Sequence, residues 1–551
     1  MSLHLHHLGS VPVGTARVAK AAFPMGNLVM GIRDELAGLY TDADFADLFP
    51  PRGHPAACPW RLAVVTVLQF LEGLTDRQAA DAVRGRLDWK YTLGLELTDP
   101  GFHFTVLAGF RTRLVTGRAA PRLLTRLLEQ LRARGLLRAR GTQRTDSTHV
   151  LAAVRTMNRL ELVGETVRCA LNRLAAVAPV WLRAQIEPVW LERYAVRVEN
   201  YRLPKAAAER EALAAAIGAD GVRLLRAACA PQTPAAARGE PALEVLRQIW
   251  VQQYYAPDET GTVRLRSAKD VPPPERWIVS PYDRDARFSV KRGVEWVGYK
   301  VHLTEACDAD RPELITHVAT TLATTQDDAV TGAIHDDLAA RRLLPADHLV
   351  DAGYTSAEHL VRSRAAHGLD LVGPVAANAS WQARAGTGFD LQRFAIEWDT
   401  QTVICPQGKR SRSWRPRHHP GGLPQIHVRF DRHDCLACVC RAACTRSTTK
   451  PRTLAFQPQA HQVALEAARL RQTTPEFKER YALRAGAEST LSQAIRVGDL
   501  RHTRYLGLAR THLQQLIIAT AVNVIRTLAW LNEVPRGPTR VSRWVALAAP
   551  H

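Results

Sequence analysis

Two aspartates raise the first chemical question. Asp146 stands in Thr145-Asp146-Ser147-Thr148, within a stretch from Thr142 to Val150 whose pattern breaks from the helical sequence around it. Asp351 follows directly on the short apolar run His348-Leu349-Val350. An acid at the carboxyl end of a strand projects into the crevice where open α/β sheets bind ligands. Two such acids on neighbouring strands can share a hard cation, because Mg²⁺ or Mn²⁺ takes carboxylate oxygens and keeps water and substrate phosphate as its other ligands. The competing assignment is structural, since Asp at a strand end also serves as a turn residue or helix cap. A third acid comes from Glu476 to Arg496, expected as one helix, where Tyr481, Arg484 and Glu488 at i, i+3 and i+7 share a face. There Glu488 can reach a metal while Arg484 approaches an anionic backbone; the alternative is an i,i+4 ion pair between the two on a solvated helix. His149 either supports the strand acid or is a satisfied structural histidine.

A second constellation is made of thiols. Five of the nine cysteines fall between Cys405 and Cys444. Cys435-x-x-Cys438 has the spacing of a zinc knuckle, and Cys405 and Cys444 can complete a tetrahedral thiolate site. Cys440 and the histidines His418, His419, His427 and His433 leave the ligand choice open, and a set of metal-free thiols is the other reading. If zinc binds, its part is to stiffen the segment, with Arg410, Arg412, Arg415 and Arg417 offering contacts to a DNA backbone.

These residues need elements to hold them. In the N-terminal part, Pro59-Trp60 opens an apolar run from Leu62 to Leu71; Gly73 breaks it, and Thr75 with Gln78 makes a capping-box pattern. Helix, glycine turn, helix is expected, completed by segments around Trp89, Tyr91 and Leu93 and around Phe104, Phe110, Arg111 and Arg113. Such a bundle can turn arginines toward DNA, or be a plain packing domain. Residues 121–136 read as a further helix, and Ala- and Leu-rich helical sequence runs to about residue 255. A Pro- and charge-rich stretch from Pro257 to Pro281 reads as a linker or surface loop. From Trp296 the period becomes two: Gly298 to Leu303 and Leu314 to Thr320 alternate as hairpin strands. His348-Leu349-Val350, a helix from Ser356 to Ala366 and a strand at Leu371-Val372-Gly373 follow, so the section reads as an α/β sheet.

Length and charge fit this organisation. The 551 residues suggest two to four domains, with 46% hydrophobic and 23% charged residues typical of a globular chain. The net charge is +20, and with only nine lysines among 73 cations the positive charge is mostly arginine, whose planar fork suits phosphate and guanine edges. Nucleic acid is therefore the leading partner. The cations are dispersed rather than gathered beside an amphipathic helix, which argues against a membrane surface. No export signal is read in Met1 to Lys20. The longest apolar stretch, Leu513 to Leu531, carries Gln514, Gln515, Asn523 and Arg526, so no membrane span is expected. A cytoplasmic, nucleoid-associated protein follows.

The ordered set Thr145-Asp146-Ser147-Thr148, Gly298-Tyr299-Lys300-Val301-His302, Asp351-Ala352-Gly353-Tyr354 and Tyr481-x-x-Arg484-x-x-x-Glu488 resembles the DDE transposases of bacterial insertion sequences, most closely the insertion sequence 1182 group. Ser280 to Arg287 and Arg501-x-x-Arg504-Tyr505-x-Gly507 look like the same group. The resemblance implies an RNase H-like catalytic domain over 137–535, interrupted by a mostly helical insertion (150–285) and a Cys-rich insertion (376–470). An N-terminal segment (1–43) and an all-helical DNA-binding domain (44–136) precede it, and a basic tail (536–551) follows. It implies Asp146, Asp351 and Glu488 as the catalytic triad holding two Mg²⁺ or Mn²⁺ ions, which cleave the element's inverted-repeat ends and join the 3′-OH ends to target DNA. Tyr481, Arg484 and Arg496, with Arg77, Arg111 and Arg113 of the helical unit, are the expected DNA contacts, and a homodimer in a synaptic complex the expected assembly. One departure is visible: relatives often place a Lys seven residues after the Glu, where this chain has Ile495, with Arg496 next. Two rivals share these motifs, a nuclease of the same fold that cuts without rejoining and a zinc-stabilised DNA-binding relic.

Overall fold

The protein is described by a computed structural model covering residues 2–3, 5–6, 8–259, 261–291, 293–419, 422–535, 544 and 547. The tail expected at 536–551 thus lies almost wholly outside the described residues. Pro59, whose missing N–H is no loss in a first turn, opens the helix Pro59–Leu71. Gly73 turns the chain at φ +69°, and both halves of the Thr75–Gln78 capping box form at the head of the helix Asp76–Gly85. Helices Leu87–Leu93, Thr105–Thr116 and Arg122–Ala133 complete the unit. Two helices not anticipated from the sequence, Val13–Ala22 and Leu28–Glu35, pack in front of it.

The main sheet has six strands: β1 (Thr142–Leu151), β2 (Arg287–Lys291), β3 (Val294–Ala306), β4 (Ile315–Leu322), β5 (Asp347–Leu349) and β6 (Asp370–Val372). β3 pairs antiparallel with β1 on one edge and with β2 and β4 along the other, while β5 and β6 extend the sheet parallel to β1. The fold is thus mixed α/β. β3 is buried on both faces, with Tyr299, Val301 and Leu303 toward one side and His302 and Thr304 toward the other. Asp146, expected at a strand end, lies inside β1, because β1 keeps pairing with β3 as far as Leu151.

One continuous apolar core joins Trp60, Phe70, Trp89 and Phe110 of the helical unit to Tyr299, Val301 and Leu303 of β3 through the helix Leu508–Leu531. The N-terminal helices therefore belong to the same packed body as the sheet. The polar residues inside that last helix have assigned work: Asn523 accepts from the Ile315 N–H and donates to its carbonyl, both at 2.8 Å, which fixes the start of β4. Gln514 accepts from the Arg504 N–H and donates to the His502 carbonyl. No helix of the described residues is long and apolar enough to cross a membrane.

Between β1 and β2 the helices Arg159–Val177, Ala207–Cys229 and Pro241–Gln253, with shorter ones, close on a core of their own that includes Trp190 and Trp250. After β6 the chain leaves the sheet and returns at the helix Gln459–Arg471, which packs on Ala357–His367. The two ends of this excursion are fastened together, Val375 N–H to Gln472 at 3.1 Å and Arg469 to the Ala376 carbonyl at 3.0 Å. Within it lie strands not foreseen in the sequence: β7 (Ala395–Glu397) with β8 (Thr402–Ile404), and an antiparallel sheet of β9 (Ser411–His418), β10 (Pro424–Phe430) and β11 (Thr453–Phe456).

Candidate active site

The register of β1 and β5 brings the two aspartates together. Thr142, Gln143 and Arg144 pair with Asp347, His348 and Leu349; continuing in step by two residues sets Asp146 level with Asp351. In parallel strands, residues at one level project to the same face. One guanidinium bridges them: Arg484 lies 2.9 Å from Asp146 and 4.0 Å from Asp351. Asp146 also accepts the Ser147 N–H at 2.8 Å. Burial pushes the Asp146 carboxyl above the usual range, Arg484 and that N–H pull against the rise, and Asp351 adds to it. Such a pair favours a cation between its members.

Arg484 does not sit on one long helix. The expected helix Glu476 to Arg496 is divided into Pro475–Ala482, a tight 3₁₀ turn Leu483–Ala485, and Gly486–Gly498. The turn carries Arg484 to Asp146 rather than into an i,i+4 pair with Glu488. Glu488 itself is exposed in the first turn of the third piece. Asp146, Asp351 and Glu488 do not stand with all their ligand oxygens within 4.8 Å of one another. Tyr481 is half-buried, its ring stacked on Phe477 at 5.5 Å beside the ends of β5 and β6.

The Gly486–Gly498 helix is set on the sheet by a buried ionic lattice. Arg144, two residues before Asp146, pairs with Glu305 of β3 at 2.7 Å and donates to the Leu483 carbonyl at 2.6 Å. Glu305 also takes Thr490 of the helix and Arg526 of the last helix. A Cβ on Gly486 would collide with the Arg144 guanidinium, so glycine lets the helix settle against it without displacing that side chain from Glu305.

Sequence reasoning missed Asp327 as part of this neighbourhood. It lies at the head of the helix Asp328–Ala340, 3.0 Å from Lys300 and 3.7 Å from Lys291, with Ser147 at 3.5 Å. Lys300 also donates to the Thr325 carbonyl. The available signal was Lys300 within Gly298 to His302 and an acidic pair at a helix start. Gly353 separates Asp351 from Asp327: a Cβ there would meet Asp351 at 3.0 Å and Asp327 at 3.3 Å. Below them, Tyr354 holds its proton far beyond the usual range through burial and hydrogen-bonds His302 Nδ1 at 2.6 Å. His149 is half-buried, 5.7 Å from the Trp296 ring.

The expected DNA contacts of the helical unit divide. Arg111 is buried on Asp76 and over the Tyr505 ring, because it ties the unit to the segment behind Glu488, so its guanidinium is not offered to DNA. Arg113 is half-buried, bonded to the Leu48 carbonyl and over Phe49. Arg77, over Phe104, and Arg496 are exposed.

Cys405, Cys435, Cys438 and Cys444, with His433, line one pocket of about 450 Å³, from which Cys440 is absent. Lys409 N–H points at the Cys405 sulfur (3.4 Å) and Arg452 N–H at the Cys435 sulfur (3.5 Å). No three of these sulfurs lie within 4.8 Å of one another, wider than the roughly 3.8 Å edge of a zinc tetrathiolate. Among the described residues the one set that close is His6, Asp42 and Cys58. There the Asp42 carboxylate is taken up by the His6 and Trp60 N–H groups, and burial pushes the Cys58 thiol up to about 12, so the group reads as a fastening of the chain start.

The architecture and site are those of a mixed α/β protein with a paired-aspartate centre. Residues 404–528 match the model of the transposase DDE domain, and residues 18–113 match that of a transposase domain of the DUF772 type. The first match takes in the Cys cluster, Tyr481, Arg484 and Glu488; the second begins ahead of residue 44, in the segment that holds the two unanticipated helices. The search of curated proteins gave no match. The two matches support a DDE transposase, a class of enzyme that acts on DNA and generally uses divalent metals.

Proposed function

We propose that the protein is a DNA transposase with an RNase H-like catalytic domain, of the insertion sequence 1182 group. It binds the inverted-repeat ends of its element, cleaves them by phosphodiester hydrolysis and joins the 3′-OH ends to target DNA. The observation that carries this reading is the in-register approach of Asp146 and Asp351 to one Arg484, on the segment that also bears Glu488. The sheet order supports it, with antiparallel β4, β3 and β1 continued by parallel β5 and β6.

In this reading Asp146, Asp351 and Glu488 hold Mg²⁺ or Mn²⁺. The donor set fits, being hard oxygens on a half-buried pair whose own electrostatics call for positive charge. When bound, two such ions would activate water or a 3′-OH and stabilise the charge that develops at phosphorus. Arg484 neutralises the pair and, once relieved of it, presents a fork of donors to the scissile phosphate. Lys300, held by Asp327 and the Thr325 carbonyl, keeps a second positive charge at the same edge. Tyr481 flanks the site from the β5 and β6 side, and Arg496 lies on the exposed face of the helix bearing Glu488. The protein works as a homodimer that synapses two ends. Cys405, Cys435, Cys438 and Cys444 would hold a structural Zn²⁺, which would stiffen this segment; the backbone N–H groups aimed at two of the sulfurs suit thiolates.

The test is cleavage of duplex DNA carrying the sequences that border the protein's own gene, in Mg²⁺ and in Mn²⁺, with intact protein, Asp351→Asn and Glu488→Ala. Cutting at the end junction by intact protein alone, with the variants still binding the duplex but slowed about a thousandfold or more, is the expected result. Cleavage by either variant would remove that residue from the triad. Failure of released 3′ ends to join other DNA would leave a nuclease.

A further inference from the structure

The excursion after β6 presents a surface that the acidic centre does not use. Along β9 and β10 the side chains alternate. Trp414 on β9, with Ile426, Val428 and Phe430 on β10, turns inward with Leu454 and Phe456 to make a small core under the Cys pocket. Arg415, Arg417, His427 and Arg429 therefore turn the other way. The pairing puts Arg415 opposite His427, Arg417 opposite Gln425, and Arg429 between Ser413 and Thr453. With Arg412 and Arg432 they line a shallow concavity of about 560 Å³.

The charge on this face is uncompensated. Arg410 and Arg412, at its margin, are engaged by Glu397 (3.8 Å) and Asp431 (3.1 Å). Arg415, Arg417, Arg429 and Arg432 are exposed and have no acidic partner among the described residues. Arg415, Arg417 and Arg429 on the sheet, with Arg432 just past the end of β10, repel each other and are held there by the apolar alternate face. The apolar residues that reach the concavity, Val428 and Phe430, are themselves buried and offer a protein partner no exposed anchor. The arginines' forked donors match phosphate oxygens, and a strand pair presents them in rows that a helical backbone can cross.

We propose that this outer face of β9, β10 and β11 is a docking surface for duplex DNA, gripping the phosphate backbone without reading sequence. The choice of DNA rests on the transposase reading. Placement agrees with it: the excursion is fastened beside β6, the second strand from β1, and its return helix leads through Pro475–Ala482 into Arg484. DNA held on this face extends from the same body that cuts it.

The experiment measures the affinity of the full chain for a labelled duplex of arbitrary sequence across a series of salt concentrations. The variant is Arg415→Gln/Arg417→Gln/Arg429→Gln/Arg432→Gln. Each phosphate contact contributes about 0.9 to the slope of log affinity against log salt, so four lost contacts should lower the slope by about 3.6. A charge-keeping variant with Lys at the same four positions should restore most of the slope, which separates lost charge from a disturbed fold. Unchanged slope in the Gln variant, with the intact protein binding duplex DNA normally, overturns this surface and leaves the transposase reading standing. No duplex binding by intact protein overturns both. Loss confined to duplex RNA would also overturn the assignment.

Discussion

At the scale of single residues, the site is a problem of like charges kept apart by small spaces. Asp146, Asp351 and Asp327 crowd one edge of the sheet, answered by Arg484 on one side and by Lys300 and Lys291 on the other. Gly353 makes this spacing possible, because any Cβ would enter the gap between Asp351 and Asp327. Its φ is not left-handed and its position is exposed, so alanine would strain no backbone and would, if anything, stabilise by reducing the freedom of the unfolded chain. Gly353→Ala should therefore melt at or slightly above the temperature of the intact protein while metal-dependent cleavage falls roughly tenfold to a hundredfold, the usual effect of displacing a reacting group by a fraction of an ångström to one ångström. Cleavage at the intact rate with a normal melting temperature would show that the spacing of these acids is not under such control.

At the scale of elements, local grammar was legible and junctions were not. Pro59, Gly73 and the Thr75–Gln78 box specify a helix, a turn and a helix through their own backbone chemistry, and that is what forms. Period-2 alternation around Val301 and Val318 likewise gave β3 and β4. The break of the Arg484 helix was hidden because it is made by tertiary partners: Arg144 takes the Leu483 carbonyl, and Gly486 lets the helix settle against that same guanidinium. The strands β9 to β11 were masked by their arginines, whose alternation with Trp414, Ile426 and Val428 reads as mere basic sequence until the strands pair. Asp146 and Asp351 could be nominated singly, but only the β1–β5 register sets them level. The Cys-rich element invites a measurement at its own scale. Its core is a handful of side chains, too small to hold a sheet of three strands firmly, which is where structural zinc usually contributes. Protein purified without added zinc should contain about one zinc per chain. Removing it with a chelator should speed hydrogen exchange in β9 to β11 while β1 and β3 stay protected, and Cys435→Ser should do the same. A metal-free protein whose β9 to β11 amides exchange as slowly as those of β3 would dispose of the zinc.

At the scale of the whole molecule, the helical unit, the sheet and the helix Leu508–Leu531 share one core, and the sheet has buried imidazoles packed on it. His302 lies under the acidic site, His335 pairs with His348 behind β5, and His512 meets Thr320 of β4. Burial drives His302, His335 and His512 each down to about 4, and His348 well below its ordinary value, so all four are neutral in the folded protein. Unfolding returns them to water, where they bind protons from about pH 6.5 downward. The sign follows: above about 6.5 neither state is protonated and the packing contributes its full stability, whereas between about 6.5 and about 4 only the unfolded chain gains protons. Each pH unit of that window costs up to about 1.4 kcal/mol per histidine. Because these imidazoles sit on or against β3, β4 and β5 of the main sheet, the loss is felt where its elements pack together. The melting temperature, followed by scanning calorimetry, should accordingly hold nearly level above neutrality and drop steeply as the pH falls from about 6.5 toward about 4. His335→Asn, which keeps a polar partner for His348 without a titrating ring, should shallow that fall; a melting temperature flat across the window would mean that these imidazoles are not buried and neutral together.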